Sequence, residues 1–377
     1  MGASSALVAA CAGPLAAAQD APPAASTAEF SVLDQKPWSK QTRRLKITRG
    51  RTPVASLVFP TDYPTHFRLK PELHHVCTPR GLEVTGSHEY CFIHHMSVFC
   101  GHGKVQVDGD PRIIDFYRHL HFPDVQRRDP HRPPDTKNNL LQLGPSGLQK
   151  IVASRWRAGP RVVISLELAW QTREWGREDG DVFAREERYY SIAHQGNATI
   201  VDLYSKLMTA GRSITLIPEN DHGYCGVRVH DFIDPDDGGV MVDSEGRNPN
   251  GHFRYNSNKW AATPGLPPPF GVVSQQDGPR PRWIDCTGTV TGGTMGMTLM
   301  SHPANVRNEW NAREFGLMIL SAAQTVPLRI TEDKPFEFAA RYVAHDGPLD
   351  PAAANALHAA FGRTSRDDCR AYLAGGA

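Results

Sequence analysis

Residues 161–171, RVVISLELAWQ, put Val162, Ile164, Leu166, Leu168 and Trp170 on one side of an extended chain and Glu167 on the other. That two-residue period predicts a half-buried strand. The same signal recurs along the chain. RLKIT (44–48) and ASLVF (55–59) open the series, and FGLMIL (315–320) and FEFAARYVAH (336–345) extend it. Residues 188–210 predict two strands turning at Gln195-Gly196-Asn197. Residues 287–302 predict a second hairpin turning at Gly292-Gly293. Residues 121–137 and 262–282, the latter with Pro267-Pro268-Pro269, break the period. Loops of that length in a compact domain are usually functional. Helical character is confined to the end, where Asp350 caps Pro351 and the good helix formers that follow. The expectation is a mainly β protein: one large antiparallel β-sandwich over residues 41–377, with long loops and a C-terminal helix.

Composition adds limits. The 33 glycines and 30 prolines suit a chain of many turns. With 41 basic and 40 acidic side chains the net charge is +1, which argues against a nucleic-acid partner. Residues 1–18 read as a signal peptide or lipoprotein leader. Ala16–Ala18 form a small-residue cleavage site, and Val8-Ala9-Ala10-Cys11 resembles a lipobox that would make Cys11 a lipid anchor. Residues 19–40 read as a linker. The expected location is exported, periplasmic or extracellular. No later stretch approaches the ~20 apolar residues of a membrane helix, so no transmembrane span is expected. Beyond the leader stand Cys77, Cys91, Cys100, Cys225, Cys286 and Cys369, with no C-x-x-C pair. One or two disulfides, with Cys91–Cys100 the nearest pair, and buried free thiols are alternative readings.

The chemistry of interest is in the 17 histidines. CFIHHMSVFCGHG (91–103) holds His94 and His95 in an apolar run, with His102 between two glycines. Neighbouring side chains of a strand point to opposite faces, so His94 and His95 should offer one imidazole to a cleft and one to the packing behind it. The same alternation argues against His74 and His75 forming a two-ligand metal site. His302, held extended by Pro303, is followed by Asn305, Arg307, Trp310 and Arg313, a set suited to stacking on sugar rings and gripping hydroxyls or carboxylates. A loop-bracing Arg–Trp stack is the structural alternative. His222 sits in a turn before Arg228, and Trp283 and Asp285 lie on a further strand. Asp285 reads as a base or as a turn cap. G-x-S-x-G, H-E-x-x-H, P-loop and G-x-G-x-x-G signatures are missing, which weakens serine-hydrolase, zincin and nucleotide-binding readings.

Several segments together resemble the PmoA-like family of exported bacterial proteins. They are TPRGLEVT (78–85), IHHMSVFCGHGKVQVDG (93–109), VDLYSKLMTA (201–210), DHGYCGVRV (221–229), RWIDCTGTVTG (282–292) and SHPANVRNEWNAREFGLM (301–318). The last is the most specific. Ile93 stands before the histidine pair where the family has His-Pro, and Asn311 stands where it has histidine, so position 311 supplies no imidazole. The resemblance implies a large β-sandwich of the aldose-mutarotase supersandwich kind, in bacteria that degrade carbohydrate. The first functional expectation is an exported carbohydrate-active enzyme performing hydrolysis, elimination or epimerisation. His94, His95, His222, Asp285 and His302 would be its acid–base groups. Arg228, Trp283, Asn305, Arg307, Trp310 and Arg313 would hold its substrate. A metal-dependent enzyme with histidine-bound zinc, copper or iron is the second expectation. A non-catalytic sugar-binding protein is the third.

Overall fold

Alternation of apolar and polar side chains resolves into packed antiparallel sheets. The structure, a computed structural model, describes residues 28–36, 42–60, 69–86, 95–117, 147–172, 180–219, 223–246, 281–313 and 315–375. The first strands are β1 (Phe30–Gln35), β2 (Arg44–Arg49), β3 (Thr52–Val58), β4 (Glu72–His74), β5 (Val98–Cys100), β6 (Val105–Val107) and β7 (Ile113–Ile114). Next come β8 (Gly147–Arg157), β9 (Val162–Thr172), β10 (Val182–Gln195), β11 (Ala198–Thr209), β12 (Ile214–Leu216), β13 (Cys225–Arg228) and β14 (Val240–Asp243). The last are β15 (Trp283–Val290), β16 (Gly293–Ser301), β17 (Glu309–Arg313), β18 (Leu317–Ser321), β19 (Leu328–Ile330) and β20 (Phe336–Asp346). Helices α1 (Pro351–Phe361) and α2 (Arg366–Leu373) follow.

One eight-stranded sheet runs β1-β2-β3-β4-β5-β13-β18-β17, and here it is called the site sheet. The other, the long-strand sheet, runs β14-β15-β16-β20-β11-β10-β9-β8. A four-stranded sheet, β19-β12-β6-β7, packs on the core they share. Val162, Ile164, Leu166, Leu168 and Trp170 of β9 share one core with Leu45, Leu57, Val98, Val227 and Met318 of the site sheet. Each side chain so buried contributes about 1.5–3 kcal/mol. Glu167 points out to solvent, as the alternation predicts.

Both predicted hairpins form. β10 and β11 pair in continuous register around Gly196, whose φ of +59° suits glycine, and β15 and β16 turn through Gly293 at φ +116°. Asp350 caps α1 by accepting from Ala352 N at 2.9 Å. The helical end continues further than predicted: Ser365 and Asp368 form a reciprocal capping box that starts α2. The linker expectation for 19–40 needs correction, because Phe30–Gln35 form β1 and pair with β2. The leader expectation, residues 1–18, lies outside the described residues, as does the loop over 121–137 and nearly all of the one over 262–282.

The two helices occupy the outer face of the long-strand sheet. Phe361, Cys369 and Tyr372 pack on Val163, Tyr189, Tyr204 and Ala339. Ala354 packs on Ala198, Trp283, Met300 and Val343. Among the described residues no helix is long and apolar enough to cross a membrane. Cys77, Cys100, Cys225, Cys286 and Cys369 are all buried free thiols, so the Cys91–Cys100 disulfide does not form. The neighbour of Cys100 is Cys225 on the adjoining strand, at 3.8 Å between sulfurs.

Candidate active site on the outer face of the site sheet

Each central strand of the site sheet sends alternate residues into the core. The intervening ones meet on the opposite face. Glu72, Phe99, Gly226, Ile319 and Asn311 lie in one row, fixed by the pairings Glu72–Phe99, Phe99–Gly226, Gly226–Ile319 and Ile319–Asn311. The next row holds His74, Ser97, Arg228, Leu317 and Arg313. His74 Nδ1 lies 2.7 Å from Ser97 Oγ, and Arg228 N donates to Ser97 O at 2.9 Å. Leu317 pairs with both Arg228 and Arg313. Gly226 is required here, because a Cβ would stand 2.5 Å from the Phe99 ring.

An outer sheet face ordinarily carries solvated polar groups or apolar groups under a cover. This one carries charges that are buried. Lys70 is 1 % exposed, Glu72 0 %, His95 4 %, Arg228 4 % and Arg313 7 %. Charged side chains are almost never buried to this extent without a partner or a task. They surround an aromatic floor. Phe99 and Tyr117 meet edge to face at 5.1 Å, and the Lys70 ammonium lies 4.9 Å from both ring centres. His95 stacks on Phe315 at 5.5 Å with 15° between the planes. The Arg228 guanidinium sits 5.0 Å from the same Phe315 ring. Arg228 also donates to Asp231 at 2.6 Å and lies 3.9 Å from Asp234.

Burial tunes these groups towards neutrality. Desolvation pushes the Lys70 ammonium down to about 7, although the negative fields of Asp115 and Glu72 oppose it. Desolvation likewise raises Asp234 to about 6, against the hydrogen bond from Asp237 N and the charge of Arg228. An amine on this face that titrates near neutral pH, with a carboxyl of similar range 3.9 Å from Arg228, marks a place where protons can move.

At the rim of this face the chain does something the strand rule does not anticipate. β4 ends at His74, and His75 adopts φ +53°, the only non-glycine left-handed residue among the described ones. This conformation costs roughly 1–3 kcal/mol. It is held by a Cys77 Sγ to His75 O contact at 3.0 Å, Cys77 N donating to Val54 O at 2.9 Å, and Val76 N donating to Thr85 Oγ1 at 3.0 Å. The turn brings the two rings to 3.5 Å between centres. The expectation that His74 and His75 diverge is therefore corrected. His75 Nδ1 is hydrogen-bonded to Glu83, and ligand atoms of His74, His75 and Glu83 lie within 4.8 Å of one another. Burial alone would raise the Glu83 carboxyl, but hydrogen bonding to His75 and the fields of His75, His74 and His230 hold it below its ordinary value.

The residues singled out from the sequence are not gathered into one pocket. His95, Arg228 and Arg313 are on the site face. His94 and His222 lie outside the described residues. Trp310 points into the core. Asn305 clasps the main chain of Ala339 through two hydrogen bonds, 2.9 and 2.8 Å, and Arg307 donates to the carbonyls of Ala322, Val326 and Pro327. Both serve loop structure. His302 has both nitrogens engaged with main chain: Nε2 donates to Phe361 O and Thr364 O at 3.1 and 3.2 Å, and Nδ1 accepts from Ala304 N at 3.1 Å. Trp283 lies under α1 and donates to Asn355 at 3.0 Å.

Asp285 is fully buried on the long-strand sheet, accepting from Thr298 at 2.7 Å and Thr287 at 2.6 Å and lying 3.0 Å from His345 Nε2. The other His345 nitrogen bonds to Gly347 O. This dyad is closed and structural, so the catalytic roles expected of Asp285 and His302 are withdrawn. Burial alone would lower the His345 pKa, but the hydrogen bond and charge of Asp285 raise it. A raised folded-state pKa stabilises the fold below the unfolded value and loses that effect as pH climbs through the folded one. Asp285→Asn is expected to cost about 1.5–3 kcal/mol in acid, with the gap to the parent narrowing as pH rises above the ordinary histidine value and through the raised one. Urea unfolding at several pH values checks it, and a gap that widens would refute it.

Sequence reasoning passed over Lys70, Glu72 and Asn311. The signal for the first two was present: in LKPELH (69–74), Lys70, Glu72 and His74 alternate with Leu69, Pro71 and Leu73.

Fold and site together define a β-sandwich protein with a buried, ionisable sheet face. Residues 44–359 match the family described as "Family of unknown function (DUF6807)", and the chain belongs to that family. No curated protein matches the chain. Among solved structures it is similar to a candidate mutarotase, YeaD, from Salmonella typhimurium, with 10 % identity, a TM-score of 0.29, and coverage of 84 % of this chain and 97 % of that one.

Proposed function

We propose that this chain is an exported enzyme acting on an acidic sugar by proton transfer at the carbon beside its carboxylate, leading to elimination or epimerisation. The observation that carries the reading is the buried set Lys70, Glu72, His95, Arg228 and Arg313 on one sheet face. An amine near neutral pKa is a competent base for a carbon-bound proton. The electron pair left behind moves into the sugar carboxylate, whose two oxygens then carry the developing charge. Arg228 and Arg313 are the forks suited to hold it. His95 supplies a proton, either to the carbon from the other side or to the departing oxygen, and Phe315 keeps its ring in place. The amine and guanidinium set favours this chemistry over hydrolysis by paired carboxylates. The sugar class is supported by the motif resemblance to the PmoA-like family and by the aromatic floor, which suits sugar faces.

The test is incubation with uronate-bearing and neutral glycosides in D2O, followed by NMR. Deuterium entering beside the carboxylate, or an unsaturated product, is expected only for acidic sugars. Arg228→Lys and Arg313→Lys should each lower kcat/KM about 10- to 100-fold, while Asp285→Asn leaves it unchanged. Turnover indifferent to both arginines, or confined to neutral sugars, would sink the proposal.

A further inference from the structure

We infer that His74, His75 and Glu83 form a binding site for a divalent first-row transition metal ion at the rim of the site face. The inference is independent of the proton-transfer reading, because its readout is the metal itself. Two imidazoles and one carboxylate are a common donor set for zinc and for non-haem iron, with coordination positions left open for water or substrate. The three ligand atoms already lie within 4.8 Å of one another.

The hydrogen bonds settle which nitrogen His74 can offer. Ser97 Oγ has one proton, and it is given to Gly86 O at 3.0 Å. Ser97 must therefore accept from His74 at 2.7 Å, which makes Nδ1 the protonated nitrogen. Glu72, 3.9 Å from that nitrogen, reinforces the assignment. The lone pair of neutral His74 is then on Nε2, the arrangement of metal-ligating histidines whose second nitrogen is held by an oxygen. His75 Nδ1 is hydrogen-bonded to the Glu83 carboxylate. A metal ion bound there would displace the proton of that hydrogen bond to solvent and take Nδ1 and the carboxylate as ligands, with the ring proton of His75 on Nε2.

Access fits an exchangeable ion. The His75 and Glu83 side chains are 45 % and 38 % exposed, while His74, at 14 %, anchors the site to the sheet. Cys77 is not in the cluster: its sulfur is turned to His75 O at 3.0 Å. An ion pair alone could form between a histidine and a glutamate in relaxed backbone. Here the chain holds His75 in a left-handed conformation, and the result is convergence of both rings on one point.

The experiment uses the full chain, stripped with chelator, titrated calorimetrically with Zn2+ and then with Co2+ followed by visible absorption. One equivalent of each is expected. His75→Gly suits this test because glycine accepts φ +53° without strain, so the variant folds at least as well as the parent. It and Glu83→Gln should weaken binding at least about 100-fold, while His358→Ala on α1 leaves it unchanged. Thermal unfolding of His75→Gly separates lost ligation from lost fold. Absence of saturable binding in the parent, or equal binding in His75→Gly and Glu83→Gln, would overturn the assignment. That result would leave the acidic-sugar reading untouched.

Discussion

Lys70→Met is expected to lower kcat by about 10²- to 10⁴-fold, the usual worth of a positioned acid or base. Methionine keeps the length of the buried stem and its contact with Phe99 and Tyr117. The titrating amine is lost, together with its hydrogen bond to Tyr117 O. The pH profile separates this from a packing effect. In the parent, activity should rise through about pH 7 as the ammonium releases its proton, and the residual activity of Lys70→Met should lack that limb. Stability supplies a second readout. The folded pKa is depressed from 10.5 to about 7, so between those values the unfolded chain binds the extra proton and stability climbs with pH. The slope attributable to Lys70 is up to about 1.4 kcal/mol per pH unit. Chemical unfolding at about pH 7 and 9 should show a shallower climb in Lys70→Met than in the parent. The comparison must be between the two proteins, because buried thiols such as Cys77 and Cys369 lose stability over the upper part of the same range. An unchanged slope together with unchanged activity would remove Lys70 from the mechanism.

The largest loss of stability is expected from Glu186→Ala, about 3–5 kcal/mol, the cost of leaving a buried charge without its partner. Glu186 lies inside the sandwich. It accepts from Trp170 Nε1 at 2.8 Å, Arg188 Nε at 2.7 Å, Arg188 Nη2 at 2.8 Å and Ser205 Oγ at 2.7 Å. Arg188 is fully buried and also donates from Nη2 to Gln149 Oε1 at 3.0 Å. Gln149 in turn donates to Cys100 O, which ties β8 to β5 across the core. Truncating Glu186 strands a guanidinium in an apolar interior. The double variant Glu186→Leu with Arg188→Met removes both charges and should recover most of the loss. Denaturant midpoints of the three proteins check this. A single variant as stable as the parent would show that the pair carries no weight.

The contrast between fold and site in legibility has a physical cause. Strand faces such as Val162 to Trp170 are local periodicities, and the Asp350 cap is a local hydrogen bond, so both can be read from neighbouring residues. The site is a row across β4, β5, β13, β18 and β17, whose order in the sheet departs from their order in the chain. Lys70 and Glu72 alternate with Leu69, Pro71 and Leu73, a pattern that does not tell a solvated face from a buried one. Their burial comes from tertiary contacts that no window of sequence contains. His302 reads from its neighbours as a free imidazole at the sheet rim, yet the carbonyls that occupy its Nε2 belong to Phe361 and Thr364, some sixty residues away. The His74–His75 rule failed for a different reason. Alternation holds only while the strand continues, and the strand stops between the two residues.

The position of β20 constrains how the molecule is made. It is the last strand in chain order among the described residues, yet it sits fourth in the long-strand sheet, hydrogen-bonded to β16 on one side and β11 on the other. Until residue 346 has emerged, those two strands present open edges, the kind of surface that invites pairing with another chain. Closure of this sheet therefore waits for β20, and a nascent chain held extended by a chaperone until then loses nothing by waiting. Truncation before Phe336 should yield aggregate in place of a smaller folded core.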